Sequence, residues 1–249
     1  MKIDAHFFMK EARYFYVPNA INQSELPEEE SRHASKVLRL DAGDEIFLMD
    51  GVGNFYRAEI TLVTKKQCLY NIIETIPQQK AWTGEIHIGI APTKNIDRME
   101  WMVEKCTEIG MDSISFLNCK FSERKQLRAD RIEKICISAA KQSRKPFFPK
   151  VENIIDFHKY INIPREGNKY ICHCYNEIPQ IDLFKELCDS VKNNPIYILI
   201  GPEGDFSIDE VEFAMQNGYK SATLGNFRLR TETAGILATT VSQLAKRKI

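Results

Sequence analysis

The chain has 249 residues with 34 basic and 34 acidic side chains, and its formal net charge of zero argues against a uniformly basic RNA-binding coat. Its 43% hydrophobic and 27% charged residues are typical of a globular protein of one large or two ordinary domains. No apolar run is long enough for a membrane span and the N-terminus lacks signal-peptide features, so we expect a cytoplasmic protein without membrane contact. The seven cysteines are scattered, and the CHC at residues 172–174 lacks a second ligand pair at zinc spacing, so we expect no metal site.

The sequence pattern of residues 1–75 predicts a small β-rich domain. Its strands are expected at residues 13–17, 45–49, 55–62 and 67–73, and its helix at about residues 24–36. Asp50 and Gly51 are a typical hairpin-turn pair between two of these strands. The best candidates for RNA contact in this domain are Arg13, His33, Lys36 and Arg39, and a structural role for His33 is an equal alternative.

Residues 76–249 predict a second domain, which begins with a linker at about residues 76–84. The expected strands alternate with expected helices, which predicts a mostly parallel sheet with helices on both faces. The strands are at residues 85–91, 113–117, 170–174, 196–200 and 221–224, and the first helices are at about residues 97–109, 129–142 and 181–191. Lys94 and Arg98 stay polar near the end of the first strand and are candidates for RNA contact.

Positive charge is concentrated between Lys120 and Lys150. Ten basic residues lie there against three acidic ones, and ten minus three is a local surplus of seven positive charges. Surfaces that contact phosphates are built in this way, and the adjacent Phe147 and Phe148 strengthen the interpretation. The residues of this block and its flanks that we predict to contact RNA are Arg124, Lys141, Gln142 and Arg144.

Two loops near the C-terminus begin with glycine and follow buried strands. In an open α/β sheet such loops lie side by side at the carboxyl ends of the strands, where ligands bind. The first loop starts at Gly201, and the capping-box pair Ser207 and Glu210 predicts that the next helix starts at Ile208 and ends before Gly218. The second loop, residues 225–231, leads into a helix that runs to about Lys246.

The helix that follows the second loop could be capped by Thr231 or Thr233. Glu232 would lie in its first turn, where the helix dipole favours a carboxylate. Taken alone, Glu232 is therefore a dipole partner rather than a catalytic residue. Neither loop contains a Gly-Lys-Ser/Thr phosphate motif or a G-x-G-x-x-G fingerprint. The loops instead suit a small, partly apolar, weakly charged ligand held mainly by backbone groups.

Several motifs resemble those of one enzyme family. IGPEG at residues 200–204, LG at 224–225 and LRTETA at 229–234 resemble the signature of the RsmE-type 16S rRNA (uracil-N3) methyltransferases of the SPOUT superfamily. Further resemblance covers nearly the whole chain in order: KNIDRMEW at 94–101, EKCTEIG at 104–110, AAKQSR at 139–144 and the segment 33–44. The sequence departs from the family pattern in two places: Asp205 stands where a glycine is frequent, and Phe227-Arg228 stand where Arg-Ile is frequent.

The resemblance implies an α/β fold with a trefoil knot near residues 196–240, preceded by a small PUA-like or OB-like β-barrel. It also implies a homodimer that uses S-adenosyl-L-methionine to methylate N3 of a uridine in the 16S RNA of the small ribosomal subunit. Ribose 2′-O-methylation, guanine N1 methylation and a ribosome assembly factor without catalysis are the alternatives.

The resemblance also implies roles for individual residues. Arg230 would face the uracil or its phosphate, and either Glu232 or Glu203 would assist the departure of the N3 proton. The residues implied to bind the cofactor are Leu199, Ile200, Gly201, Pro202, Gly204, Leu224, Gly225, Asn226, Leu229, Thr231 and Thr233.

Overall fold

The computed structural model describes residues 13–190 and 193–247 and divides into two compact units. The first unit comprises the described residues up to Lys80 together with Ala140–Phe148. The second comprises Ala81–Ala139 and the described residues from Pro149 onward. The domain bounds 1–75 and 76–249 remain a prediction, and they did not anticipate that a segment from the middle of the chain belongs to the first unit.

The first unit is built on a four-stranded mixed sheet in chain order, which confirms the predicted β-rich character. Its strands are β1 (Tyr14–Tyr16), β2 (Glu45–Met49), β3 (Asn54–Val63) and β4 (Cys68–Pro77). The first pair is parallel and the other two pairs are antiparallel. Helix α1 (Glu28–Arg32) continues directly as a π-helical turn (His33–Val37). Apolar side chains from the strands and this helix, such as Phe15, Ala34, Ile46, Leu48, Tyr56 and Ile60, form the core of the unit.

The segment Ala140–Phe148 packs on the β2–β3 turn of the first unit. The amide of Gly53 donates to the carbonyl of Pro146 at 3.0 Å, and the amide of Phe148 donates to the carbonyl of Gly51 at 2.9 Å. The ring of Phe148 lies 4.9 Å from that of Tyr16. A Cβ on Gly53 would meet the ring of Phe147 at 2.6 Å, so this turn needs a glycine. Both phenylalanines, which the sequence grouped with the basic block, therefore have a packing role.

The second unit is an α/β layer structure around seven parallel strands, which confirms the predicted sheet. The strands are β5 (Ile86–Ile90), β6 (Ser113–Asn118), β7 (Lys150–Asp156), β8 (Asn168–Cys172), β9 (Ile181–Asp182), β10 (Ile196–Ile200) and β11 (Lys220–Thr223). Their order across the sheet is β7-β6-β5-β10-β8-β11-β9. The central strands β5 and β10 consist almost entirely of apolar residues because helices cover both faces of the sheet.

Two apolar clusters lie on this sheet, and they account for the helices. The helices are α2 (Ile96–Ile109), α3 (Ala129–Gln142), α4 (Phe157–Asn162), α5 (Leu183–Asp189), α6 (Ile208–Gln216) and α7 (Thr231–Lys246). One cluster includes Met102 of α2, Ile132 of α3, Leu183 of α5 and Ala238 of α7. The other includes Phe157 of α4 and Val211 of α6. The trefoil knot remains a prediction.

Three elements were not predicted in this form: β7, α4 and the short strand β9. Helix α5 starts at Leu183 rather than residue 181, because the carboxylate of Asp182 caps it by accepting a hydrogen bond from the amide of Lys185 at 2.8 Å. No helix within the described part of the chain is both long and apolar enough to cross a membrane.

Candidate functional site

A cavity of about 1010 Å³ lies in the second unit at the carboxyl ends of β8, β10 and β11. These three strands are neighbours in the sheet, so the loops that follow them meet at one edge. Most residues of the segments 172–180, 200–205 and 223–232 form the walls, and Arg98 from α2 adds a side chain. The volume is suitable for a cofactor-sized molecule.

The first loop connects β10 to α6 and is held by the predicted capping box. The amide of Glu210 donates to Ser207 Oγ at 3.3 Å, and the amide of Ser207 donates to Glu210 Oε2 at 2.8 Å. Helix α6 starts at Ile208, as predicted. A Cβ on Gly201 would lie 2.9 Å from the backbone nitrogen of Phe206, so the tight turn requires glycine there.

Asp205 stabilises this loop from a backbone conformation that favours glycine. Its φ of 70° lies in the left-handed region, where Asp is better tolerated than most residues. One carboxylate oxygen accepts from the amide of Phe206 at 2.8 Å, and the other accepts from the amide of Cys174 at 2.8 Å. These two bonds offset the strain and tie the first loop to the 172–180 wall.

The second loop connects β11 to α7, and its helix begins differently from the prediction. The N-cap position is Arg230, not Thr231 or Thr233, and Arg230 makes no side-chain capping bond. Thr231 is buried and does not cap the helix. Its Oγ1 instead donates to the carbonyl of Gly201 at 3.1 Å. This bond joins the two predicted ligand loops directly.

Two of the three predicted catalytic side chains differ in how they are held. Glu232 is buried in the first turn of α7, and one carboxylate oxygen lies 3.7 Å from Arg98 Nη1. Glu203 is exposed, and its Oε1 accepts from the amide of Lys94 at 2.9 Å. Glu203 thus connects the loop after β10 to the loop after β5. The third side chain, Arg230, is exposed within the cavity wall.

Most of the predicted cofactor-binding residues line the same cavity, together with Glu203, Arg230 and Glu232. They are Ile200, Gly201, Pro202, Leu224, Gly225, Asn226, Leu229 and Thr231. Three others do not line it. Leu199 is fully buried in the core, Gly204 packs against Phe121, and Thr233 is exposed on α7.

The wall at residues 172–180 was missed by the sequence analysis, which interpreted residues 172–174 as strand. Strand β8 instead ends at Cys172, and the chain turns away through His173. The available signal was the position of this segment just after a buried strand, but its loop lacks the glycines that marked the other two. No group of three or more His, Cys, Asp or Glu side chains that could hold a metal occurs among residues 13–190 and 193–247.

His173 organises this wall as a neutral imidazole. Its Nδ1 accepts from the amide of Tyr175 at 3.2 Å and from Gln180 Nε2 at 3.1 Å, so the ring proton is on Nε2, which donates to Ser221 Oγ at 2.9 Å. Burial lowers the pKa of His173 below its usual value, and the carboxylate of Asp205 offsets this only in part. A second ring proton would face two donors.

We expect His173 to make the fold less stable in mild acid. The unfolded chain takes up a proton at the usual histidine pKa of about 6.5, whereas the folded chain resists protonation until a lower pH. The stability that His173 contributes is therefore present above about pH 6.5 and is lost as the pH falls through the lowered pKa. The free energy of unfolding in urea should be measured from pH 8 to pH 5 for the wild type and His173→Gln. Their difference should shrink in acid, and a difference independent of pH would contradict this role.

The candidates for RNA contact in the second unit lie close to the cavity. Arg98 lines it, and Lys94 pairs with Glu123 at 2.8 Å. Arg124 donates to the backbone carbonyls of Thr93 and Lys94 at 3.1 and 2.6 Å, so it braces the loop after β5.

The candidates in the first unit are engaged to different degrees. Arg13 lies 3.5 Å from Asp44, Lys141 forms a half-buried ion pair with Glu30, and the guanidinium of Arg144 lies 5.3 Å from the ring centre of Tyr14. The ring of His33 packs edge-on to that of Phe15. The remaining candidates, Lys36, Arg39 and Gln142, are exposed.

Comparison with known proteins agrees with this geometry. Residues 80–243 match the RNA methyltransferase domain family, and residues 26–73 match the RNA methyltransferase PUA domain. A probable rRNA-methyltransferase from Porphyromonas gingivalis has a solved structure that is similar to this chain with a TM-score of 0.87 and 38% identity, over 94% of this chain and 98% of the other.

Two relatives carry a more specific description. The ribosomal RNA small subunit methyltransferase E from Neisseria gonorrhoeae, solved with bound S-adenosyl methionine, has a TM-score of 0.81 and 27% identity over 94% of this chain and 97% of its own. The ribosomal RNA small subunit methyltransferase E of Buchnera aphidicola is 29% identical over 231 residues, 90% of this chain and 88% of its own. The matches cover both units, and the chain therefore belongs to the RNA methyltransferase family and, within it, to the RsmE-type enzymes that its loop motifs resemble.

Proposed function

We propose that the protein methylates N3 of a uridine in the 16S RNA of the small ribosomal subunit, with S-adenosyl-L-methionine as the methyl donor. The observation that carries the proposal is the cavity, in which the backbone of two ligand loops meets Arg230 and the buried Glu232. The similarity to the Neisseria enzyme, which binds S-adenosyl methionine, and to the Buchnera small subunit methyltransferase supports the reaction class, the cofactor and the RNA.

The lining of the cavity fits this cofactor. Ile178, Ile200, Leu224 and Leu229 provide apolar surface of the kind that covers an adenine ring. Three guanidinium groups and three carboxylates line the same cavity, which suits a ligand with a cationic sulfur and a zwitterionic amino-acid end. These charged residues are Arg98, Arg228, Arg230, Glu203, Asp205 and Glu232. A Cβ on Gly225 would meet nothing within 4 Å, and its φ of 126° favours glycine, so the backbone is open to a ligand at this point.

S-Adenosylmethionine supplies a methyl group on a sulfonium sulfur, and the residues of the chain position the uracil and handle its proton. The neutral imide nitrogen is a poor nucleophile, so its proton must leave at or before attack, with a carboxylate as general base. Glu232 or Glu203 would take that proton. Negative charge then spreads onto the two carbonyl oxygens of the uracil, where the guanidinium of Arg230 would stabilise it.

The proposal includes a homodimer in the cytoplasm. Helix α7 carries apolar side chains that its own unit leaves partly uncovered: Leu244 is exposed, and Ile236, Leu237 and Val241 are half-buried. Such a surface is suited to a partner helix, because its burial would remove apolar area from water. Sedimentation at working concentration would contradict the dimer if it found only a monomer.

The function is tested by incubating the protein with radiolabelled S-adenosylmethionine and unmodified small ribosomal subunits, then digesting the RNA to nucleosides. Label in 3-methyluridine is the expected result. Label in a 2′-O-methylated nucleoside or in 1-methylguanosine would support the proposed cofactor but contradict uridine N3 as the target. If calorimetry detected no binding of S-adenosylmethionine, the result would support a ribosome assembly factor without catalysis.

Replacing Thr231 by valine should weaken cofactor binding. The change keeps the shape of the side chain but removes its hydrogen bond to the carbonyl of Gly201, which joins the two ligand loops. A net hydrogen bond of about 0.5–1.5 kcal/mol corresponds to a rise in Kd of roughly twofold to tenfold. Calorimetric titration with S-adenosylmethionine measures it, and Thr233→Val, at an exposed position of the same turn, is the matched control. Equal effects of the two changes would contradict the role of the loop contact.

A further inference from the structure

Two phenylalanine rings are exposed to solvent beside the cavity. Phe227 is 87% exposed and belongs to the cavity wall, and Phe121 is 47% exposed on the loop after β6. Single exposed apolar side chains are common on protein surfaces, but here two aromatic rings are exposed beside the same site. The position of these rings beside the site therefore calls for an occupant.

Phe121 itself, and Arg228 as the neighbour of Phe227, contact the same turn, Glu203 and Gly204. The Cβ of Phe121 is 3.3 Å from the position that a Cβ on Gly204 would take. Arg228, which follows Phe227, donates from Nη2 to the carbonyl of Glu203 at 3.3 Å. The aromatic residues are thus attached to the loop that carries one of the candidate general bases.

Each ring has a basic residue next to it in the chain. Lys120 precedes Phe121, with Nζ 5.8 Å from the ring centre, and its surface ion pair with Asp209 at 3.3 Å is of a kind that contributes little. Arg228 follows Phe227. An aromatic face beside a cation is the usual arrangement for unpaired nucleotides, because bases stack on the ring and the cation meets the phosphate.

We propose that Phe121 and Phe227 are stacking platforms for unpaired bases of the substrate RNA next to the target uridine. The inference rests on the proposed function. A uridine can expose N3 to the cavity only if it leaves its stack and its pairing, and its neighbours then lose a stacking partner. The two rings replace that partner and hold the flanking nucleotides while the uracil enters. This makes them positioning residues, and it gives a use to Phe227 at a place where the family pattern often has arginine.

The test compares alanine, leucine and tryptophan at each position, with Phe184→Ala as the matched control at an exposed phenylalanine of α5 outside the cavity wall. Alanine should raise KM for unmodified small ribosomal subunits by about fivefold to a hundredfold, the usual effect of losing one base–aromatic stack. The kcat should stay close to the wild type, and so should the Kd for S-adenosylmethionine in the Phe121 variants, because Phe121 does not line the cavity. Tryptophan should restore KM and leucine should not, because only a planar π-face replaces a stacked base.

Binding of the same subunits without cofactor, measured by filter retention, should follow the same order. This measurement keeps the inference separate from the proposed function, because it does not depend on which nucleoside is methylated. Rescue by leucine as good as by tryptophan would overturn the platforms in favour of ordinary apolar packing. An alanine variant that shifts the sedimentation coefficient would overturn them in favour of contact with a second copy of the chain, and an unchanged KM and affinity would overturn them outright.

Discussion

Arg230→Ala is expected to lower the rate of methyl transfer by about 100- to 1000-fold, the usual cost of removing a donor that stabilises developing charge. Arg230 is the N-cap residue of α7, and its guanidinium lines the cavity. The next residue, Thr231, is hydrogen-bonded to the carbonyl of Gly201 in the other loop. The charge of Arg230 matters most after the N3 proton has left, when the uracil oxygens become negative. The Kd for S-adenosylmethionine should stay within about threefold, because the loops hold that ligand mainly by backbone groups.

Single-turnover methylation of saturating small subunits measures this effect apart from RNA binding. Arg230→Lys should recover part of the rate, since it keeps the charge but loses the planar fork of donors. Arg228→Ala is the matched control from the same loop and should act mainly on KM, because Arg228 is bonded to the backbone of the neighbouring turn. Wild-type turnover by Arg230→Ala would remove Arg230 from the mechanism.

Local signals predicted the parts of this site that depend on short-range interactions. The capping box of Ser207 and Glu210 is complete within four residues, and it placed the start of α6 at Ile208. The glycines at 201 and 225 marked two ligand loops for different reasons. A Cβ on Gly201 would clash with the backbone of Phe206, and Gly225 has a positive φ that other residues rarely adopt. The alternation of apolar runs likewise predicted a parallel sheet covered on both faces.

Long-range placement could not be predicted in the same way. The 172–180 wall belongs to the site because β8 lies between β10 and β11, an order that no local pattern encodes. Thr231 was misread as a cap because its true partner, the carbonyl of Gly201, is thirty residues away. The same limit applies to Ala140–Phe148, whose place in the first unit depends on contacts with the distant turn at residues 51–53.

Glu232→Gln is expected to lower the rate constant of methyl transfer by about 100- to 10,000-fold if this side chain is the general base. Its position favours that role over Glu203. Glu232 lines the cavity from the first turn of α7 and is buried there, with Arg98 Nη1 3.7 Å from one carboxylate oxygen. Glu203 already accepts a hydrogen bond from the amide of Lys94 and is exposed. Glutamine keeps the shape and the polar contacts but cannot take a proton.

The pH dependence distinguishes a base from a partner of the helix dipole. If Glu232 removes the N3 proton, the rate of the glutamine variant should rise steadily with pH, because ionisation of the imide in solution replaces the missing base. If Glu232 only stabilises α7, the variant should lose about 0.3–1 kcal/mol of unfolding free energy and show a rate and pH profile close to the wild type. Glu203→Gln, measured in the same way, is the matched control. If the methyl-transfer rate recovered at high pH in Glu203→Gln and not in Glu232→Gln, Glu203 would be the general base. Recovery of the rate at high pH identifies the variant that has lost the base.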